Sequence, residues 1–174
     1  MKECKPLPGG MRKLARCYYS GAGVKHDPAQ AAVWLQKAAD LGDAAAKATL
    51  GGFLLDGNAR AGVAKNPARG FELLRDAVEQ GEGLALYLVA ECYLFGQGVE
   101  KDAAQGVSLM RQVVNQEDAV KSDAEIALAY CYYEGEGVEA DTVQAAKWCQ
   151  RAAQGRAVQV DPLKPILKAR EVSA

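Results

Sequence analysis

Gly135-Glu136-Gly137-Val138 is the stretch most suggestive of chemistry. Glycines so spaced can cradle a phosphate, because they accept positive φ and let other atoms approach the backbone. Around them Glu134, Glu136, Glu139 and Asp141 gather four carboxylates. A calcium loop needs oxygen ligands alternating over about 12 residues. That alternation is missing, so the cluster reads as a solvated turn. His26 is the single histidine, and neither a Ser-His-Asp triad nor a two-histidine metal site is supported around it. The five cysteines are odd in number and lack CxxC spacing, which argues against a zinc site or a closed disulfide framework. Cys17, Cys92 and Cys131 share a recurring position and, with Cys149, read as small, buried, reduced side chains. No cofactor and no metal are expected.

The glycine loop is not unique. It recurs as Gly21-Ala22-Gly23-Val24, as Gly57 with Gly62-Val63, and as Gly96-Gln97-Gly98-Val99. The first glycines are 36, 39 and 39 residues apart. Three residues beyond each valine stands Asp27, Asn66, Asp102 or Asp141, each an N-cap type, with Pro28 and Pro67 at the next position. Upstream lie Leu14-Ala15, Leu50-Gly51, Val89-Ala90 and Leu128-Ala129, followed at helical spacing by Tyr18, Leu54, Tyr93 and Tyr132. Downstream, Trp34, Leu73, Leu109 and Trp148 share one slot, and Ala38, Ala77, Val113 and Ala152 another. The glycines therefore follow a helix and open another. A dinucleotide fingerprint follows a strand and occurs once. Each GxGV is a helix terminus and turn.

These residues resemble the Sel-one-like repeat of the tetratricopeptide clan, over about Met11 to Gly155. The pattern is carried by Ala46-x3-Leu50-Gly51 and by Tyr18, Gly21, Gly23, Val24, Asp27, Ala31, Trp34, Ala38-Ala39 and Gly42. The fourth copy repeats it with Tyr132, Gly135, Gly137, Val138, Asp141, Ala145, Trp148, Ala152-Ala153 and Gly155. Pro8-Gly9-Gly10 is expected to shorten the first helix. Gly70 and Gly106 replace an alanine of the second helix, and Gln116 replaces the closing glycine. The resemblance implies an all-α, right-handed solenoid of four helix-turn-helix repeats, about 11–42, 43–81, 82–116 and 121–155. A C-terminal capping helix is expected over 161–172, with Leu163, Ile166 and Leu167 covering the last core. Physics points the same way: a lone helix pair cannot cover its apolar stripe, so pairs stack. Gly21, Gly23, Gly57, Gly62, Gly96, Gly98, Gly135, Gly137, Trp34 and Trp148 are the expected structural residues.

Some cysteine-rich relatives are linked with β-lactam binding, but Ser20, Ser108, Ser122 and Ser173 all lack the S-x-x-K arrangement. The disulfide slots of those relatives fall here on Ala39 and Ala46. An enzyme is not expected.

Length suits one domain, no apolar run approaches the roughly 20 residues of a membrane span, and the start lacks a secretory h-region. A cytoplasmic location is expected. A net charge of −1 argues against nucleic acid as a partner. Residues 1–87 carry 12 basic and 9 acidic side chains, +3, and residues 88–174 carry 9 and 13, −4.

In the clan that the repeats resemble, the first helix of each pair lines a concave groove. Its expected residues are Arg12, Arg16 and Tyr19 in the first repeat, and Ala45, Ala48, Gly52 and Leu55 in the second. The third gives Leu84, Tyr87, Glu91 and Leu94, and the fourth Asp123, Ile126, Tyr130 and Tyr133. The expected ligand is a protein or peptide segment. Its acidic end or C-terminal carboxylate would meet Arg12 and Arg16, and its apolar anchors Tyr87, Leu94, Tyr130 and Tyr133. The alternatives are a spacer module in a larger protein or, least supported, a hydrolase.

Overall fold

The computed structural model describes residues 7–116 and 119–155. The expected capping helix over 161–172 lies outside them. Among the described residues are eight α-helices: α1 (Pro8–Ser20), α2 (Pro28–Asp40), α3 (Ala44–Asp56), α4 (Pro67–Glu79), α5 (Gly83–Phe95), α6 (Ala103–Val114), α7 (Lys121–Glu134) and α8 (Thr142–Gly155). Taken in pairs, they are the four repeats. Of the described residues, 7–88 together with Gln97–Val99 form one compact unit; Val89–Gly96 and those from Glu100 to Gly155 form a second.

Each repeat closes in the same way. The first helix ends where the chain turns through glycine, with Gly21 at φ 74° and Gly135 at φ 76°. The Gly21 N–H donates to the Cys17 carbonyl and the Gly135 N–H to that of Cys131. The four expected N-caps are all made. Asp27 accepts from the Gln30 N–H at 3.0 Å, Asn66 from Arg69 at 3.2 Å, Asp102 from Gln105 at 2.9 Å and Asp141 from Gln144 at 3.0 Å. Each cap satisfies a donor that the helix cannot, worth about 1 kcal/mol. The cap residue's own N–H donates back to Tyr18, Leu54, Tyr93 or Tyr132. One side chain and one backbone bond thus fix the angle between paired helices.

The second loop departs from this form. Its three extra residues wind into a short 3-10 turn, Ala59–Ala61, capped by Asn58. Asn58 and Val63 exchange both backbone hydrogen bonds across it, at 2.8 and 2.9 Å. Gly57 keeps a positive φ of 77° but with ψ 148°, and Gly62 takes the left-handed helical conformation instead.

The second loop glycine has a further role in the third and fourth repeats. A Cβ at Gly98 would lie 2.2 Å from the Pro67 carbonyl oxygen, and one at Gly137 would lie 2.3 Å from that of Ala103. These loops rest directly on the first turn of the preceding repeat's second helix. At Gly23 a Cβ would meet nothing within 4 Å.

α1 begins at Pro8 and keeps Gly9 and Gly10 in its first turn, giving the same 13 residues as α2 and α3. It is not shortened as expected. Proline is pre-set for the first helical position, and burial of Met11 and Ala15 anchors the turns that follow.

Within the first unit, α1 packs on α2, α2 on α3 and α3 on α4; within the second, α6 packs on α7 and α7 on α8. The core of the first unit gathers Met11, Ala15, Leu35, Ala38, Ala46 and Leu50. That of the second is built on Val107, Met110, Val113 and Leu128. Trp34 and Trp148 are half-buried rather than enclosed. Each carries a cation over its ring, Lys37 at 4.5 Å and Arg151 at 4.6 Å. The cost of truncating them therefore falls below the roughly 3–5 kcal/mol of a fully buried tryptophan.

Candidate protein-binding face of the first helices

Fifteen positions were expected on the binding face, and the structure divides them. Arg12, Arg16, Tyr19 and Tyr133 are exposed; Ala45, Gly52, Leu84, Tyr87, Glu91, Asp123 and Tyr130 are half-buried. Ala48, Leu55, Leu94 and Ile126 are 0%, 3%, 2% and 5% exposed and belong to the core. Those four expectations are corrected.

The reason lies in the partner helix. Tyr19, Leu55, Leu94 and Tyr133 occupy one slot; Gly70 and Gly106 face it from the second helix, at the repeat position that Ala31 and Ala145 hold in the other two repeats. Where glycine stands, the helices close up and leucine fits between them. A Cβ at Gly106 would lie 2.7 Å from Leu94 Cγ, and one at Gly70 3.2 Å from Leu55 Cδ2. Where alanine stands, the slot holds a tyrosine that stays in solvent, 47% exposed at Tyr19 and 61% at Tyr133. Ile126 is enclosed because α7 has α6 on one side and α8 on the other.

In the first unit the exposed positions converge on a cavity of about 490 Å³. Arg12, Lys13 and Arg16 of α1 line it with charge, Ala45 and Thr49 of α3 line it as well, and Ala15, Tyr19, Leu35, Phe53 and Leu84 supply its apolar lining. The Tyr19 and Phe53 rings stack with centroids 5.9 Å apart at 29°. No carboxylate lines the cavity. Asp43 lies beside it, 3.1 Å from Arg12 Nε, while also capping α3 by accepting from the Ala46 N–H at 2.8 Å. Arg12 is therefore paired within the chain. Lys13, Thr49 and Phe53 were missed in the sequence. Phe53 had a signal, being the lone aromatic next to the small residues Gly51 and Gly52.

In the second unit the acidic turn already has internal work. Glu136 binds Lys101 at 2.8 Å, and Asp141 caps α8. The Glu136 carboxylate, by hydrogen bond and charge, raises the Lys101 pKa. Arg111 donates to the Tyr132 hydroxyl at 2.5 Å. Glu125 is 3% exposed and meets Arg151 Nε at 3.4 Å.

Cys92 and Cys131 are buried, while Cys17 and Cys149 are half-buried. Burial, reinforced by the Glu136 charge, pushes the Cys131 thiol up to about 12 from its usual 9.0. The folded thiol stays neutral where the unfolded one ionises. Its contribution is complete below pH 9 and is lost as pH rises towards 12. Urea midpoints at pH 8 and pH 10.5 should fall more for the native chain than for Cys131→Ala. Parallel falls would show that this thiol is not desolvated.

Paired helices capped alike, turning through glycine and presenting exposed first-helix side chains, define an all-α repeat protein of the solenoid class. The Sel1 repeat model matches residues 8–43, 44–82, 83–117 and 122–155, and the chain belongs to the Sel1 repeat family. A Sel1 repeat protein from Oxalobacter formigenes is similar at 28% identity and a TM-score of 0.74, over 88% of this chain and 60% of that one. A protective antigen of uropathogenic Escherichia coli with an SLR fold aligns at 27% identity and a TM-score of 0.68, over 86% of this chain and 31% of its own. The chain thus spans less than two thirds of either relative. A Sel1 repeat protein of Klebsiella pneumoniae, at 22% identity and a TM-score of 0.66 over 84% of this chain and 67% of its own, shares the fold. No curated protein matches. Sel1 repeat proteins are generally protein-interaction modules. Among the described residues, no helix is long and apolar enough to cross a membrane.

Proposed function

We infer that this chain is a protein-interaction module that holds a segment of a partner protein against its first helices, with the cavity of the first unit as the principal seat. One observation carries this reading. Side chains of α1, α3 and α5 meet around an open space lined by two aromatic rings and three cations. Tyrosine and arginine are enriched at interface hot spots, where single truncations often cost 2 kcal/mol or more. The Tyr19–Phe53 stack offers a large, rigid contact surface at small entropic cost.

The test is co-purification of partners with the native chain and with an Arg16→Glu/Tyr19→Ala variant whose helicity is unchanged. The variant should lose the partners that the native chain retains. Equal recovery by both would reject this seat.

A further inference from the structure

Resting on that reading, we propose that the first-unit cavity selects an acidic segment carrying one bulky apolar side chain close to its carboxylates. Three cations of α1, Arg12, Lys13 and Arg16, line the cavity and no carboxylate does. Asp43 neutralises only Arg12. Among the described residues, Lys13 and Arg16 have no carboxylate partner. Two positive charges thus stand beside an apolar lining, and the complementary ligand brings negative charge and an apolar group together.

The chain's geometry sets the spacing. On α1 a rise of about 1.5 Å per residue puts Arg16 about 4.5 Å along the axis from Tyr19, and Arg12 about 6 Å further on. An extended ligand advances about 3.3 Å per residue. Its acidic residue therefore falls one to three positions from the side chain lying on Tyr19, Phe53 and Leu84. In a helical ligand the same reach is one turn, i to i+3 or i+4.

The three cations differ in role. Arg16 and Lys13 receive the ligand's carboxylates. Arg12, paired with Asp43, ties α1 to the start of α3. Lys13 thus stands beside Arg16 in the role first expected of Arg12.

The probe is a random 12-residue peptide library displayed on phage and selected against the full chain. Enriched peptides should carry Asp or Glu within three residues of Phe, Leu, Ile, Trp or Tyr. A synthetic peptide of the leading sequence should bind at least tenfold more weakly to Arg16→Glu. It should also bind more weakly with its acids changed to lysine, and in added salt. Arg12→Gln should lose less affinity than Arg16→Gln. Enrichment without acidic bias, an unaffected Arg16→Glu, or no enrichment would each overturn the proposal. So would light-scattering detection of dimers that Arg16→Glu dissolves, since a second copy would then be the occupant. If those failures coincide with partners that still co-purify through Arg16 and Tyr19, the binding face stands and only the acidic segment is lost. Failure of both removes the face as well.

Discussion

Gly137→Ala should cost the fold about 2–5 kcal/mol, whereas Gly23→Ala should cost about 1–2 kcal/mol. Both glycines sit at positive φ, 70° and 74°, where any Cβ brings strain. Only at Gly137 would the new atom also strike backbone, 2.3 Å from the Ala103 carbonyl oxygen. Side chains can swing aside, but a carbonyl in the first turn of α6 cannot move without shifting that helix. Gly98 against Pro67 should behave like Gly137. Urea unfolding supplies the comparison. Trp34 and Trp148 report the first and second units separately once each is studied with the other changed to phenylalanine. Equal losses at positions 23 and 137 would mean that the loop merely turns and does not carry the stacking of one repeat on the next.

Leu94→Ala is the second large effect, about 2–5 kcal/mol for a leucine 2% exposed. Its partner Gly106 makes the case testable at a finer level. Gly106→Ala overpacks the contact and should cost about 1–3 kcal/mol alone. In the double variant the added Cβ enters space that the leucine has vacated, so the combined loss should fall short of the sum. Strict additivity would break the link drawn between glycine in the second helix and a buried leucine in the first. A Leu94→Ala chain of native stability but impaired binding would restore Leu94 to the surface.

Much of this architecture was written plainly in the residues. Asp27, Asn66, Asp102 and Asp141 announced four helix starts, because an N-cap acts on its own neighbours and needs no tertiary context. The recurring glycines announced four turns for the same reason. Burial was harder to read. Leu94 and Tyr133 hold the same offset, and a periodicity cannot say which of them is covered. That depends on whether the facing residue is Gly106 or Ala145. Gly70 and Gly106 looked like departures from a pattern, yet they are what lets the helices close. Arg12 likewise looked free, since its partner Asp43 lies 31 positions away and follows only from how α1 meets α3. Pro8-Gly9-Gly10 misled in the opposite sense, because local helix propensity was overruled by the burial of Met11 and Ala15.

The binding face is examined most directly by photo-cross-linking. Benzoylphenylalanine placed at Tyr19 on α1 or at Val33 on α2 samples two positions of nearly equal exposure, 47% and 45%. A partner segment seated on the first helices gives strong adducts from position 19 and few from position 33, and Arg16→Glu suppresses the former. Adducts of equal yield from both sites, or stronger ones from position 33, would place the partner elsewhere on the protein.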